Sequence, residues 1–207
     1  MKRQLLKIKA YASIANNRVS LNDGIVFSEE KNDLSAFLKQ AYKSLDTNYS
    51  KFFKMDALSK LGFLAADIIL KSTQKEPDLE RNTALVFSNS ASSLDTDRKH
   101  QKSIQDKDNY FPSPAVFVYT LPNICLGEIS IKHKLYSENS FFIFNHINTG
   151  YLFDYANNLI LSNKADEVLC GWVNCDGEDY EAFVYLVSTE GTIPHTKEEI
   201  LKLYNIK

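Results

Sequence analysis

No apolar run in this chain is long enough to cross a bilayer. Basic residues are not gathered into a patch or a polybasic stretch, and the net charge is only −2, so neither nucleic acid nor an anionic membrane surface is an expected partner. Cysteine is scarce. Cys125, Cys170 and Cys175 are odd in number and scattered, which argues for reduced thiols in a cytoplasmic protein rather than a disulfide framework. The opening MKRQLLKIKAYASIA is not a signal peptide, because Lys7 and Lys9 break the apolar run and Leu6, Ile8, Ala10 and Ala12 alternate with other residues. That alternation is a strand pattern. Metal-ligand spacing is also missing. Cys170 and Cys175 differ by an odd offset, which puts them on opposite faces of a strand. Asp176, Glu178 and Asp179 lack a twelve-residue loop with its closing glutamate, and an Asp-Gly turn accounts for them. No cofactor is expected.

What is present is enough for one sizeable core. The 207 residues are 44% hydrophobic and 12% aromatic, which excludes global disorder and suits a single domain over residues 1–207. A first strand is expected over residues 4–14, closed by Asn16 and Asn17. The polar stretch after it is read as irregular, with one short helix over 34–41. Residues 55–70 place Leu58, Leu61, Ala65, Ile68 and Ile69 at helical spacing, with Asp56 in the first turn. Residues 83–88 have strand length and composition. Residues 95–108 are charged and read as an exposed helix or loop. The apolar run 141–145 suits a strand buried on both faces. Asn148 or Thr149 can cap a helix reaching about residue 162, and that helix is apolar on two adjacent stripes, one through Leu152, Tyr155 and Leu159, the other through Phe153, Ala156 and Ile160. Residues 167–174 and 181–188 read as a hairpin, and Thr196 starts a last helix. Strands alternating with helices and then a hairpin indicate an α/β domain with a mixed β-sheet flanked by helices.

Two segments carry a family resemblance. Residues 113–135 read SPAVFVYTLPNICLGEISIKHKL, and residues 141–150 read FFIFNHINTG. Together they resemble the N-terminal half of a β-ketoacyl synthase of the thiolase-like fold. That family has an S-P-x-x-F-x-x-x-L-P-N run, a helix ending x-I-S-I-x-x-x-L, a short strand, and a turn of the form T-A-C-A-S-G. Residues 53–60 (FKMDALSK), 83–88 (TALVFS) and 166–174 (DEVLCGWVN) are similar to its other elements. Aligning Thr149-Gly150 with the final Ser-Gly of the turn puts Asn145 on its Thr, His146 on its first Ala and Ile147 on its nucleophilic Cys.

The resemblance implies a thiolase-like half-domain that cannot perform the ketosynthase reaction by itself. An isoleucine has no ionisable proton and cannot hold an acyl group as a thioester. The family's two catalytic histidines come from a second half, complete members run to about twice this length, and His195 does not match their motifs. Ser88-Asn89-Ser90 stands where the family has glycines near its pocket, which counts against a preserved acyl pocket. Chain-length factors, ketosynthase-like subunits without the cysteine, pair with an active enzyme. The resemblance therefore points to a non-catalytic subunit in fatty-acid, polyketide or aryl-polyene-type pigment synthesis, with a ketosynthase-like partner as homo- or heterodimer and an acyl carrier protein as a further one. Family dimers join through the strand before the nucleophile, which here is Phe141, Phe142, Ile143, Phe144 and Asn145, followed by His146. The same phenylalanines are equally compatible with a plain core strand.

Other readings compete. His146 reads as a hydrogen-bonded core residue, and His100 and His133, in charged stretches, as solvated. A small acyltransferase or acyl-binding protein on a half-thiolase scaffold is the alternative function. It would need Cys125 or Cys170 as its nucleophile, although Cys125 also reads as a small core hydrophobe.

Overall fold

A computed structural model describes residues 5–30, 33–74 and 80–206. The first strand, β1, runs Lys7–Ala15. It turns back through Asn16 and Asn17, both at positive φ (50° and 55°), into β2, Arg18–Leu21. Asparagine tolerates this left-handed geometry, which matches the twist of a two-residue hairpin. A second tight turn leads to β3, Gly24–Ser28. This hairpin replaces part of the irregular region expected from sequence, whereas the short helix expected over 34–41 is present as α1, Leu34–Ser44, three residues longer at its C-terminal end. Four half-polar residues carry too little pattern to announce β2; its pairing to β1 supplies the stability.

Helix α2, Ala57–Thr73, begins at Asp56, whose carboxylate accepts from the Ser59 N–H at 2.9 Å. Asp56 is therefore the cap rather than a first-turn residue, and it satisfies a backbone donor left unpaired at the helix start. Strand β4, Thr83–Asn89, is buried along its whole length. Helices α3 (Leu94–Ile104), α4 (Pro114–Val118) and α5 (Ile124–His133) lead to β5, Asn139–Ile143. Helix α6 (Thr149–Leu161) precedes the hairpin of β6 (Glu167–Asp176) and β7 (Asp179–Ser188), whose turn holds Gly177 at φ 64°. A short β8, Ile193–Pro194, and helix α7, Lys197–Asn205, complete the described elements.

The strands form one mixed sheet in the order β3-β2-β1-β7-β6-β4-β5, with β8 beside β1. Strands β5, β4 and β6 pair in parallel, and β7 runs antiparallel to both β6 and β1. One face is covered by α1, α2 and α5, in a core containing Phe37, Leu61, Phe63, Ile69, Phe87 and Leu126. The other is covered by α6 and α7, around Val86, Leu152, Ala156, Phe183, Tyr185 and Ile200. Cys170 belongs to the second core and Cys175 to the first, as their odd offset requires. The product is a helix–sheet–helix sandwich in which apolar residues of every central strand are taken out of water on both sides.

Close packing on the α2 face sets a measurable constraint. A Cβ added at Gly171 would stand 2.9 Å from the ring of Phe87, itself fully buried. Gly171→Ala is expected to cost about 1–3 kcal/mol through overpacking. A fall of roughly 2–12 °C in the thermal midpoint, read by circular dichroism, would register it.

Candidate partner-binding edge and the corner at Ile147

Among the described residues, strand β5 is the last strand of the sheet and pairs only with β4. The Phe144 N–H donates to the Asn89 carbonyl at 2.9 Å, and the Glu138 carbonyl accepts from Leu85 at 2.9 Å. Peptide groups alternate along a strand, so those of Phe141 and Ile143 point away from β4, along the free edge. The expectation of a strand buried on both faces is thus corrected. Phe141 and Phe142 are half-buried and Ile143 is 50% exposed. A five-residue apolar run looks the same whether both neighbours are strands of its own chain or one side is open.

The side chains divide by face. Phe141 packs against the α2-side core, whereas Phe142 packs on the α6 side. There Phe142 meets Tyr151 edge-on, with centroids 4.8 Å apart, and Tyr155 at 5.3 Å; Phe144 meets Tyr151 at 5.2 Å. Tyr155 is fixed by hydrogen bonds to Glu138 (2.5 Å) and Ser140 (3.2 Å), and the bond to Glu138 raises its pKa. Tyr151 and Tyr155 are one helical turn apart on α6, and they extend the aromatic surface beyond the residues the strand pattern singled out. Asn145 and His146 are exposed, so His146 is not the core residue its apolar neighbours suggest.

Strand β5, the turn after it and helix α6 follow one another without interruption. Asn148 caps α6, accepting from the Tyr151 N–H at 2.9 Å. Ile147 stands just before the cap, half-buried and packed against the core that contains Leu152. In helix-capping terms these are the two positions of a hydrophobic staple. The side chain at the corner thus secures the start of the helix with hydrocarbon.

The thiols lie elsewhere and are shielded. Burial raises Cys170 and Cys175 to about 12 and drives Cys125 up as well. Cys125 is wedged where an added Cβ at Gly62 would come within 2.5 Å of its sulfur. A protonated, inaccessible thiol is a poor nucleophile, which weighs against the acyltransferase alternative. Ser88 and Asn89 are buried within β4, and the Asn89 amide is spent on Ser92.

The remaining histidines have structural surroundings. His133 is not solvated: its Nε2 lies 3.0 Å from the buried Asp67 carboxylate. His100 is half-buried, with its ring 5.3 Å from that of Phe117. Both lie on helix faces turned inward, which a charged stretch of sequence conceals. His195 lies between Phe153 and Tyr185, its Nδ1 3.3 Å from Asn157 Oδ1, and burial lowers its pKa to about 4. It joins α6 to the segment entering α7. Helix α7 covers part of α6, aided by Lys197 with Asp154 (3.2 Å) and over Phe153 (5.3 Å), although Leu161 stays 52% exposed. Asp176 is held by Arg98 rather than grouped with Glu178 and Asp179 around an ion. Among the described residues, no three His, Cys, Asp or Glu are placed to hold a metal, and no helix is long and apolar enough to cross a membrane.

No family model and no curated protein sequence matches the chain. Solved structures do. The chain is similar to the ishigamide ketosynthase/chain length factor, with a TM-score of 0.63 and 13% identity over 89% of this chain and 62% of that one. It is similar to a chain in the complex of the ketosynthase ApeO with its chain length factor ApeC from Xenorhabdus doucetiae, with a TM-score of 0.61 and 12% identity over 99% of this chain and 92% of that one. It is similar also to a chain of the AntDE:AntF complex, a type II polyketide synthase acyl-carrier protein with its ketosynthase bound to the hexaketide, with a TM-score of 0.61 and 14% identity over 89% of this chain and 62% of that one. The fold is the thiolase-like α/β fold of the ketosynthases. The chain spans 62% of the length of the first and third of these matched chains.

Proposed function

We propose that this protein is a non-catalytic, ketosynthase-like subunit that pairs with an active β-ketoacyl-acyl-carrier-protein synthase in fatty-acid, polyketide or aryl-polyene-type pigment synthesis. The observation that carries the reading is the free edge of β5, where Phe142, Ile143 and Phe144 present half-exposed apolar surface beside unpaired peptide groups. Edges of this kind are normally blunted or covered. Ile147 supports the non-catalytic part, since the position at the head of α6 carries no nucleophile. Solved chains of this fold come from complexes described as ketosynthase with chain length factor, and one of them is nearly matched in length by this chain. Three free thiols suit a reducing cytoplasm. An acyl carrier protein would approach the assembled pair rather than this subunit alone.

Co-expression with candidate ketosynthases, followed by affinity purification and size-exclusion chromatography, tests the proposal. A stable stoichiometric complex is expected, with no condensation by the subunit alone. A monomer that ignores every ketosynthase offered overturns it.

The corner itself is testable by Ile147→Cys. A thiol just ahead of a helix N-terminus has a lowered pKa. Iodoacetamide at neutral pH should alkylate position 147 at least about tenfold faster than the native thiols, which burial keeps protonated. Intact-mass spectrometry reads a single adduct. Failure to label would mean that the corner does not present this side chain as a nucleophile position.

A further inference from the structure

A second feature lies at the N-terminal ends of α1 and α2. A cleft of about 520 Å³ opens between these ends, α3 and the turn of the β6–β7 hairpin. Its lining includes Leu34, Leu38 and Met55, which give it an apolar floor, and Lys60. Lys60 is half-buried, with its ammonium 5.9 Å from the centroid of the Phe52 ring.

A lysine taken fully out of water is almost always paired, and a half-buried one gives up part of the hydration of its ammonium. Of the four carboxylates lining the cleft, the three aspartates have other partners. Both oxygens of Asp56, one turn before Lys60, are occupied by the Ser59 N–H and the Thr96 hydroxyl. Asp33 caps α1 through the Ala36 N–H. Asp95 is paired with Lys99 at 2.7 Å. Glu178 lines the cleft from the exposed hairpin turn. Among the described residues Lys60 has no ion pair, and Lys99 places a second cation in the same cleft. Desolvation, opposed by Asp56 and reinforced by Lys99, lowers the Lys60 pKa. Its position one turn into α2 also sets it near the positive end of the helix dipole. A lysine arranged in this way holds more neutral amine than one in water, and neutral amine is the nucleophile.

We propose that Lys60 is an acyl-acceptor site that takes an acyl group from a thioester seated over the apolar floor of the cleft. The Nζ lone pair attacks the thioester carbonyl, an N–C bond forms and the C–S bond breaks. The thiol leaves with the proton given up by the amine, and the chain keeps an amide on Lys60. The choice of a thioester as donor rests on the proposed pairing with a ketosynthase, whose substrates are thioesters; the reactivity of the amine does not.

Incubating the purified chain with an acyl-N-acetylcysteamine thioester at pH 8 and quantifying acyl-lysine by peptide mass spectrometry tests this. Lys60 should be acylated at least about threefold faster than the exposed Lys39 and Lys51. The lead should vanish at pH 11, where every amine is largely neutral. Lys60→Arg should remove only this adduct, and Lys99→Gln should shrink the lead. Equal rates at Lys60, Lys39 and Lys51, or a lead indifferent to pH, overturn the assignment. A chain that co-elutes with a ketosynthase yet shows no preference at Lys60 refutes this site and leaves the pairing intact; selective acylation without co-elution does the reverse.

Discussion

Ile143→Pro is expected to abolish co-elution with the proposed ketosynthase partner while leaving the chain folded. The two halves of this result come from one geometric fact. Alternate peptide groups of β5 serve β4, as the bonds at Glu138 and Phe144 show, and the group at Ile143 points outward. Proline there deletes a donor that the subunit does not use internally and sets its ring on the free edge, where a neighbouring strand would lie. The preceding residue, Phe142, is already in a strand, which proline tolerates. Loss of a ladder bond together with a steric block should weaken strand addition by about 3 kcal/mol or more, roughly 100-fold in Kd. The thermal midpoint of the isolated subunit should move by only a few degrees. The other edge of the sheet provides the control. Strand β3 exposes Ile25 to 60%, and Ile25→Lys should leave the complex intact. Wild-type affinity in Ile143→Pro, or dissociation by Ile25→Lys, would place the interface elsewhere.

Much of this scaffold is legible in local sequence, and the limits of that legibility have physical causes. The Asp-Gly turn between β6 and β7, the caps at Asn148 and Thr196, and the buried stripe of α2 are encoded within a few residues, because turn geometry and helix capping are local interactions. The β2–β3 hairpin is not. Its strands are short, apolar Ile25 and Val26 stand exposed beside polar neighbours so that no inward–outward alternation is written in the sequence, and its existence depends on pairing with β1. Whether β5 is central or terminal depends on which strands return beside it, and its own five residues do not record that. The strand, the turn and the capped helix around Ile147 are readable because they are contiguous in sequence. The aromatic extension through Tyr151 and Tyr155 needed the helix phase relative to the strand. His133 shows the same limit from the opposite direction. Its sequence neighbours are lysines, yet the element that decides its surroundings is α2, 66 residues earlier.

That partner, Asp67, defines the largest expected loss of stability. Its carboxylate is fully buried in α2 and accepts from Thr47 (3.0 Å), Lys71 (2.8 Å) and His133 (3.0 Å). Burial alone would raise its pKa; the hydrogen bonds and charges of His133 and Lys71 outweigh that and hold it below the ordinary carboxylate range. Asp67→Ala leaves these partners without their acceptor in a site closed to water, at a cost of about 3–5 kcal/mol. For a chain of this size the thermal midpoint should fall by roughly 6–20 °C. The pH dependence has a definite sign. A folded pKa below the unfolded value of about 4 contributes stability that is fully present above pH 4 and is lost as pH falls through the folded pKa. The gap between wild type and Asp67→Asn should therefore be widest near neutrality and narrow in acid. Replacing Asp67 and His133 together by leucine removes both polar groups at once, and should cost less than Asp67→Ala because no buried group facing Asp67 from α5 is then left unpaired. If the single alanine variant melts within 2 °C of wild type, the network is not what fixes α5 against α2, and the orientation of the segment that delivers β5 to the edge of the sheet must be set by the apolar contacts alone.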